Sequence, residues 1–256
     1  MKDNLTNMIT KEKKIHKGIV TSINTVAEGM FYMSFEIPYD MNVKPGQFVS
    51  ILCEGLILRR PFSVFTYNNR NVGVLIKQIG KGTKYLNSLK IGDTIDFIGA
   101  LGNSFSIENK KSLLIGAGVG IAPVFYLKEV LDSMGIDSLA VAGFLSEKYV
   151  PKGLKIDEVV TDDGSIGKKG RVVDYFDEFV EQYKPEKIYS CGPTPVLKAV
   201  AELGEKYNIP TEIAMEKVMA CGIGVCRGCV IKRKNGKMAS VCQDGPVFKG
   251  DELLWQ

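Results

Sequence analysis

The sequence predicts an antiparallel β-barrel, then a parallel α/β domain, then a small cysteine-rich module. Three observations predict it. Apolar residues recur with period two from Lys17 to about Ile107, and from Ser112 to about Pro210 short apolar strands alternate with helical stretches. After Thr211, four of the six cysteines crowd into one short segment. The fold class is β plus α/β, with domains expected at 1–108, 109–210 and 211–256.

In the first domain the runs 18–23, 31–37, 48–52 and 72–76 read as strands. Turn formers separate them: Lys44-Pro45-Gly46, Asn68-Asn69 and Ile91-Gly92-Asp93. Short strands of this kind with no intervening helices describe a small barrel. In the second domain the strands are 113–115, 139–144 and 187–190, and the helices 124–134, 172–182 and 195–207. The third segment is too short to bury much core, so a bound metal is expected to supply stability.

Composition excludes several function classes. The chain has 256 residues, 45% hydrophobic and 24% charged, which suits a packed globular protein. Thirty-three Lys and Arg against twenty-nine Asp and Glu leave +4, too even a balance to point to nucleic acid or an anionic membrane. The most apolar stretch, 112–131, is interrupted by glycines and Pro123, so it reads as a buried strand feeding a helix and not as a membrane span. A single histidine, His16, removes the Ser-His triad and the two-histidine zinc and Rieske sites. Six cysteines without an N-terminal apolar signal segment point to a reducing, cytoplasmic location.

Cys221, Cys226, Cys229 and Cys242 follow the pattern C-x4-C-x2-C with twelve residues before the fourth thiol. That is the plant-type spacing of a [2Fe-2S] cluster. Gly222, Gly224 and Gly228 allow main-chain N–H groups to turn toward the sulfur atoms. A structural zinc knuckle is the alternative, although it usually pairs its cysteines in two short spacings. Cys53 lies in an apolar strand and reads as an ordinary buried thiol.

Arg59-Arg60-Pro61-Phe62-Ser63-Val64 follows an apolar strand and resembles the R-x-Y/F-S motif of the ferredoxin reductase family of flavoproteins. Pro45-Gly46-Gln47-Phe48-Val49 is similar to the family's strand entry. The resemblance implies FAD held by Arg60, Pro61, Phe62 and Ser63, with Arg60 on the diphosphate, Phe62 near the isoalloxazine or ribityl, and Ser63 near flavin N5. The family's frequent Tyr is Phe here. It further implies that main chain at Leu75, Ile76 and Lys77 touches the flavin, and that Gly82 and Thr83 cap the diphosphate at a helix start.

Residues 113–123, Leu-Leu-Ile-Gly-Ala-Gly-Val-Gly-Ile-Ala-Pro, are not G-x-G-x-x-G, because position 121 is Ile. They resemble the pyridine-nucleotide lobe of the same family. NAD is then implied at Gly116, Gly118, Gly120 and Pro123, at the Cys191-Gly192-Pro193 turn, and at Asp163 in a second nucleotide loop. The residue-level alternatives are a packing turn, a buried strand-end thiol and a solvated acidic turn. Lys148 and Lys152 read as surface lysines, so no group for a 2′-phosphate stands out and NAD is favoured over NADP.

The order of barrel, nucleotide lobe and cysteine module is similar to that of the electron transfer subunits of B-type, NAD-dependent dihydroorotate dehydrogenases. This resemblance implies a partner, the FMN-containing dihydroorotate dehydrogenase catalytic subunit, in a hetero-oligomer such as a heterotetramer, serving pyrimidine biosynthesis. Electrons would pass from that partner through the [2Fe-2S] cluster and FAD to NAD(H). No proton-transfer residue for a carbon substrate is visible, so no catalytic side chain is assigned. The alternatives are a flavin and iron–sulfur subunit of a hydrogenase, sulfide dehydrogenase or ferredoxin:NADP oxidoreductase, and, in another class, a zinc-stabilised nucleotide-binding module without redox activity.

Overall fold

The computed structural model describes Lys14–Trp255. Six strands close a barrel in the order β1-β2-β5-β4-β3-β6: β1 (Ile15–Ala27), β2 (Met30–Glu36), β3 (Phe48–Ile51), β4 (Arg60–Asn68), β5 (Asn71–Lys77) and β6 (Thr94–Leu101). The inward side of each strand follows from alternation. Phe31, Met33 and Phe35 of β2 and Val72, Val74 and Ile76 of β5 fill the interior with Val49, Ile51 and Phe97. The β4–β5 hairpin turns on Asn69 and Arg70, both at positive φ (47° and 66°), a two-residue loop whose twist suits the strands. Helix α1 (Lys81–Ser88) follows β5 and buries Leu86 in the barrel core.

The second lobe is a seven-stranded sheet with order β10-β9-β8-β7-β11-β12-β15, its last strand being β15 (Val247–Lys249). Its parallel strands are β7 (Ser112–Ala117), β8 (Ser138–Phe144), β9 (Glu158–Thr161), β10 (Lys168–Lys169), β11 (Lys187–Cys191) and β12 (Thr211–Ala214). Helix α2 (Ile121–Ser133) packs Val124, Leu127 and Leu131 on one face, against Leu114 and Tyr189. The opposite face, with Leu113, Ile115 and Ile188, takes α3 (Phe176–Tyr183) and α4 (Thr194–Tyr207). Adjacent residues of β7 thus serve opposite layers, as expected of a strand buried on both sides. The helix expected over 172–182 begins as a 3₁₀ turn, Val172–Tyr175, before α3.

The sheet crosses the boundary expected at 210/211. Strand β12 pairs with β11, and β15 (Val247–Lys249), from beyond the cysteines, adds to β12 antiparallel. Between them the cysteine segment folds as the hairpin β13 (Val230–Lys232) and β14 (Met238–Ser240) and the single turn α5 (Val241–Asp244). It packs Cys229, Cys242, Ile231 and Val241 with Phe48 of the barrel and Leu197 and Ile213 of the α/β lobe. Trp255 packs against the same cluster. Among the described residues, no helix is long and apolar enough to cross a membrane.

Two features fix the lobes to one another. Tyr126 of α2 reaches into the barrel core and donates its hydroxyl to the Val43 carbonyl at 2.7 Å. On the connecting segment, Ser106 donates its N–H to Glu212 at 2.9 Å and its hydroxyl to the same carboxylate, while Lys187 bonds Glu212 at 3.1 Å and Glu108 at 2.9 Å. Lys187 is buried. Lys187→Met is expected to lower stability by about 3 kcal/mol, the low end for breaking a buried pair because Ser106 still serves Glu212. Urea unfolding of the variant checks it. Lys110, and then Lys187, hold the Glu108 carboxyl down from 4.5 to about 2. This part of the latch is therefore complete above pH 4.5 and fades as pH falls toward 2.

Candidate functional site

Arg60 opens β4, and its neighbour Arg59 has a different task. Arg59 is ion-paired with Asp96 at 2.5 Å and donates to that residue's carbonyl at 3.1 Å. Arg60 has no carboxylate partner among the described residues; its guanidinium donates only to the Leu58 and Arg59 carbonyls, at 2.8 and 3.4 Å. A Cβ built on Gly82 would lie 3.3 Å from both Cγ and Nε of Arg60. Strand and helix start thus meet around a small cradle that carries one unneutralised cation and the first N–H groups of α1. An anionic diphosphate fits that donor set.

The Thr83 side chain is engaged within its own turn. Its hydroxyl accepts the N–H groups of Ile79 and Gly80 at 3.0 and 3.1 Å and donates to the Gly80 carbonyl at 3.1 Å, so the side chain closes the turn that presents α1. Phe62 packs on one side against the barrel core and is half-buried. Pro61 and Ser63 are also half-buried. The β4–β5 ladder ends at Val64↔Val74, so Leu75, Ile76 and Lys77 run past the paired part of β4. Their main chain is left unpaired on the side toward Ser63.

The nucleotide residues gather at the carboxyl ends of the parallel strands. The chain runs from β7 outward through β8 and β9, then returns to start β11 on the other side of β7. That reversal makes the β7/β11 crevice the expected ligand position of an open α/β sheet. Gly118 and Gly120 stand at its β7 side, Cys191, Gly192 and Pro193 at its β11 side. A Cβ on Gly120 would come within 2.6 Å of Gly192 Cα and 2.7 Å of the Cys191 carbonyl oxygen. Gly120 is therefore required by packing between the two turns. Gly116, likewise, is pressed against Ile121, 3.0 Å from the same construction. Gly118 has φ +54° and open space where a side chain would go, so it alone of the three lines free volume.

Pro123 lies in the first turn of α2, and Pro193 caps α4. Asp163 lies after β9, two strand spacings or about 10 Å from β7. Its carboxylate accepts the hydroxyl and N–H of Ser165 at 2.6 and 3.0 Å, bonds that hold it down to about 2. The Asp163 side chain thus shapes its loop. Burial, with Glu216 adding, pushes the Cys191 thiol up to about 12, so it stays neutral and unreactive at the crevice floor.

The four cysteines come together as two pairs. Cys221 and Cys226 are within hydrogen-bond reach of each other, as are Cys229 and Cys242. Main-chain N–H groups point at the sulfurs: Cys226 to Cys221 at 3.4 Å, Gly228 to Cys226 at 3.4 Å, Cys242 to Cys229 at 3.4 Å and Gly224 to Cys242 at 3.1 Å. Burial opposes ionisation of Cys221, but N–H donors from Cys226, Ile223 and Val225 bring it down to about 7. Two thiolates for each of two irons, each sulfur with an N–H donor, is what a [2Fe-2S] core requires.

The cysteine loop and the Arg60–Ser63 strand share one face of the barrel wall. On β3 and β4, Phe48 pairs with Ser63 and Ser50 with Pro61, and cross-strand partners point to the same side. Gly222 faces that side: a Cβ there would lie 3.5 Å from Ser50 Oγ and 4.0 Å from Phe48 Cε2. Ser50 escaped the sequence reading, although it lies just beyond the strand entry that ends at Val49. The pairing register that makes it informative is not written in local sequence. Lone His16 sits in the barrel wall on β1, bonded to the Tyr39 hydroxyl at 2.7 Å and paired with Phe97 of β6.

Comparison with known proteins finds two family matches within the chain. Residues 17–105 match an oxidoreductase FAD-binding domain, and 216–254 the iron–sulfur cluster binding domain of dihydroorotate dehydrogenase B. The dihydroorotate dehydrogenase B (NAD(+)) electron transfer subunit of Caldanaerobacter subterraneus subsp. tengcongensis is 38% identical over 93% of this chain and 98% of its own length. That of Clostridium acetobutylicum is 37% identical over 95% and 98%. Among solved structures, an NADH-dependent reduced ferredoxin-NADP oxidoreductase matches with TM-score 0.84 and 30% identity, covering 93% of this chain and 90% of that one. With relatives this similar along nearly its whole length, the chain belongs to the family of electron transfer subunits of dihydroorotate dehydrogenase B.

Proposed function

We propose that this chain carries electrons from an FMN-containing dihydroorotate dehydrogenase catalytic subunit to NAD+, in pyrimidine biosynthesis, using a [2Fe-2S] cluster and FAD. The flavin supplies the conversion between hydride exchange with nicotinamide and single-electron exchange with the cluster. The observation that carries the reading is the shared face of β3 and β4, which sets the cysteine loop one strand away from Ser63.

Each group of residues then has a part. Arg60 and the start of α1 at Gly82 hold the diphosphate, and Ser63 with the main chain of Leu75–Lys77 borders the isoalloxazine. Phe62 braces that strand against the barrel core. Gly118, with Cys191 and Gly192 across the crevice, admits the nicotinamide end of NAD, while Asp163 shapes the outer loop. Pro123 and Pro193 start the two helices that frame the crevice. Cys221, Cys226, Cys229 and Cys242 bind the irons. Of the four, Cys226 is exposed and flanked by exposed Val225 and Arg227, so electrons enter from the partner on that side. A cytoplasmic location suits six unbridged thiols.

Reconstitution tests this. Protein purified without oxygen should be brown-yellow, contain two irons and two sulfides per chain, and release FAD on denaturation. Mixed with an FMN-containing dihydroorotate dehydrogenase catalytic subunit, it should confer NAD+-dependent oxidation of dihydroorotate. Colourless, zinc-loaded protein would refute the redox reading. A coloured protein that serves only a ferredoxin-linked partner would transfer the chain to the role of the structurally similar ferredoxin-NADP oxidoreductase.

A further inference from the structure

One buried polar group beside the cysteine loop has no task in the relay just described. Ser50 on β3 is only 2% exposed, and its hydroxyl enters no side-chain hydrogen bond among the described residues. Its O–H is therefore available to donate to an acceptor seated beside the cysteine loop. The group it faces is the loop: Ser50 Oγ lies 3.5 Å, and its Cβ 3.8 Å, from the position of a Cβ on Gly222. Gly222 has φ +69° and directly follows Cys221. A side chain at 222 would be strained and would stand between Ser50 and the loop.

The donors already directed at the four sulfurs are all main-chain groups of the cysteine module itself. Ser50 differs, since it belongs to the barrel and lies on the face that carries Phe48 and, across the ladder, Ser63. We propose that the Ser50 hydroxyl donates a hydrogen bond to a cluster sulfur on the barrel-facing side and so raises the cluster's reduction potential. The inference rests on the reading that the loop holds a [2Fe-2S] core. Its physical basis is general: reduction adds negative charge that spreads onto the sulfurs, and a donor aimed at sulfur stabilises the reduced form more than the oxidised one. A donor from the barrel would also tie the potential to correct seating of the module beside the flavin strand.

The test is a redox titration of the complete holoprotein, followed by electron paramagnetic resonance of the reduced cluster. In Ser50→Ala, at the potential where the unaltered protein is half reduced, the reduced-to-oxidised ratio should fall about tenfold, equivalent to about 59 mV for a one-electron couple. Iron, sulfide and FAD per chain should be unchanged, and Ser50→Thr, which keeps the hydroxyl, should restore most of the shift. A fully loaded Ser50→Ala protein with an unaltered midpoint overturns the proposal. If that variant does not load iron, the unaltered protein decides: after brief transfer to D2O, proton ENDOR of the reduced cluster should lose one strongly coupled, rapidly exchanging hydroxyl proton. Absence of such a proton overturns the proposal equally. Unaltered protein lacking iron and sulfide would instead defeat the relay reading itself.

Discussion

Cys226→Ser is expected to cut electron transfer between the FMN subunit and NAD+ by at least about a hundredfold while leaving NADH reduction of the bound flavin within about twofold. The size follows from what the residue does. Loss of a group that merely supports a metal ligand costs roughly ten- to a hundredfold in affinity or activity, so loss of a ligand costs at least the upper figure. Serine at 226 keeps the shape but offers a hydroxyl whose proton is held far more tightly than a thiol's, and a ligand must give up its proton to bind. The separation of the two readouts follows from the fold. Cys226 lies on the exposed side of its loop, whereas the nucleotide crevice between β7 and β11 and the strand segment around Ser63 are built from other elements. Stopped-flow reduction by NADH and steady-state turnover with the partner measure the two separately. Loss of both activities in a variant that retains FAD would argue against a separate cluster. Cys53→Ser is the control, because Cys53 is wholly buried in the barrel core and should not alter iron content.

What the sequence revealed and what it hid differ by the range of the interaction. Alternation of Phe31, Met33 and Phe35 or of Val72, Val74 and Ile76 marks barrel strands because side-chain direction repeats every second residue, a purely local property. The cysteine spacing is likewise local, since three thiols sit on one loop. The boundary at 210/211 was not legible: β12 is four residues long and resembles any short apolar run, and only its pairing with β11 assigns it to the sheet. The return of β15 to the same sheet depends on residues far apart in sequence. Glycines in the nucleotide turn illustrate the same limit. Sequence treats Gly116, Gly118 and Gly120 alike, yet two are demanded by neighbouring backbone and only Gly118 borders open space. The bonds between the Thr83 hydroxyl and the preceding turn likewise form only in three dimensions.

Arg60→Ala should weaken FAD binding by about a hundredfold and leave the apoprotein folded. An arginine paired to a diphosphate contributes charge-assisted hydrogen bonds worth about 1.5–3 kcal/mol each, and two of them correspond to about a hundredfold or more in affinity. The structure shows why binding and not folding bears this loss. Arg60 has only carbonyl partners among the described residues and no carboxylate to leave uncompensated. Its neighbour makes the opposite case. Arg59→Ala would leave the largely buried Asp96 with only the exposed Lys17, at 3.1 Å, in place of its 2.5 Å partner, so it should lower the melting temperature of the apoprotein while sparing flavin affinity per folded chain. Arg60→Lys should recover part of the affinity through charge, but not the bidentate geometry. Equilibrium dialysis of FAD against each apoprotein, with melting curves taken on the same samples, separates the outcomes. Full FAD affinity in Arg60→Ala would remove the arginine from the diphosphate site and leave the Gly82 helix start as the only anion-binding feature of that cradle.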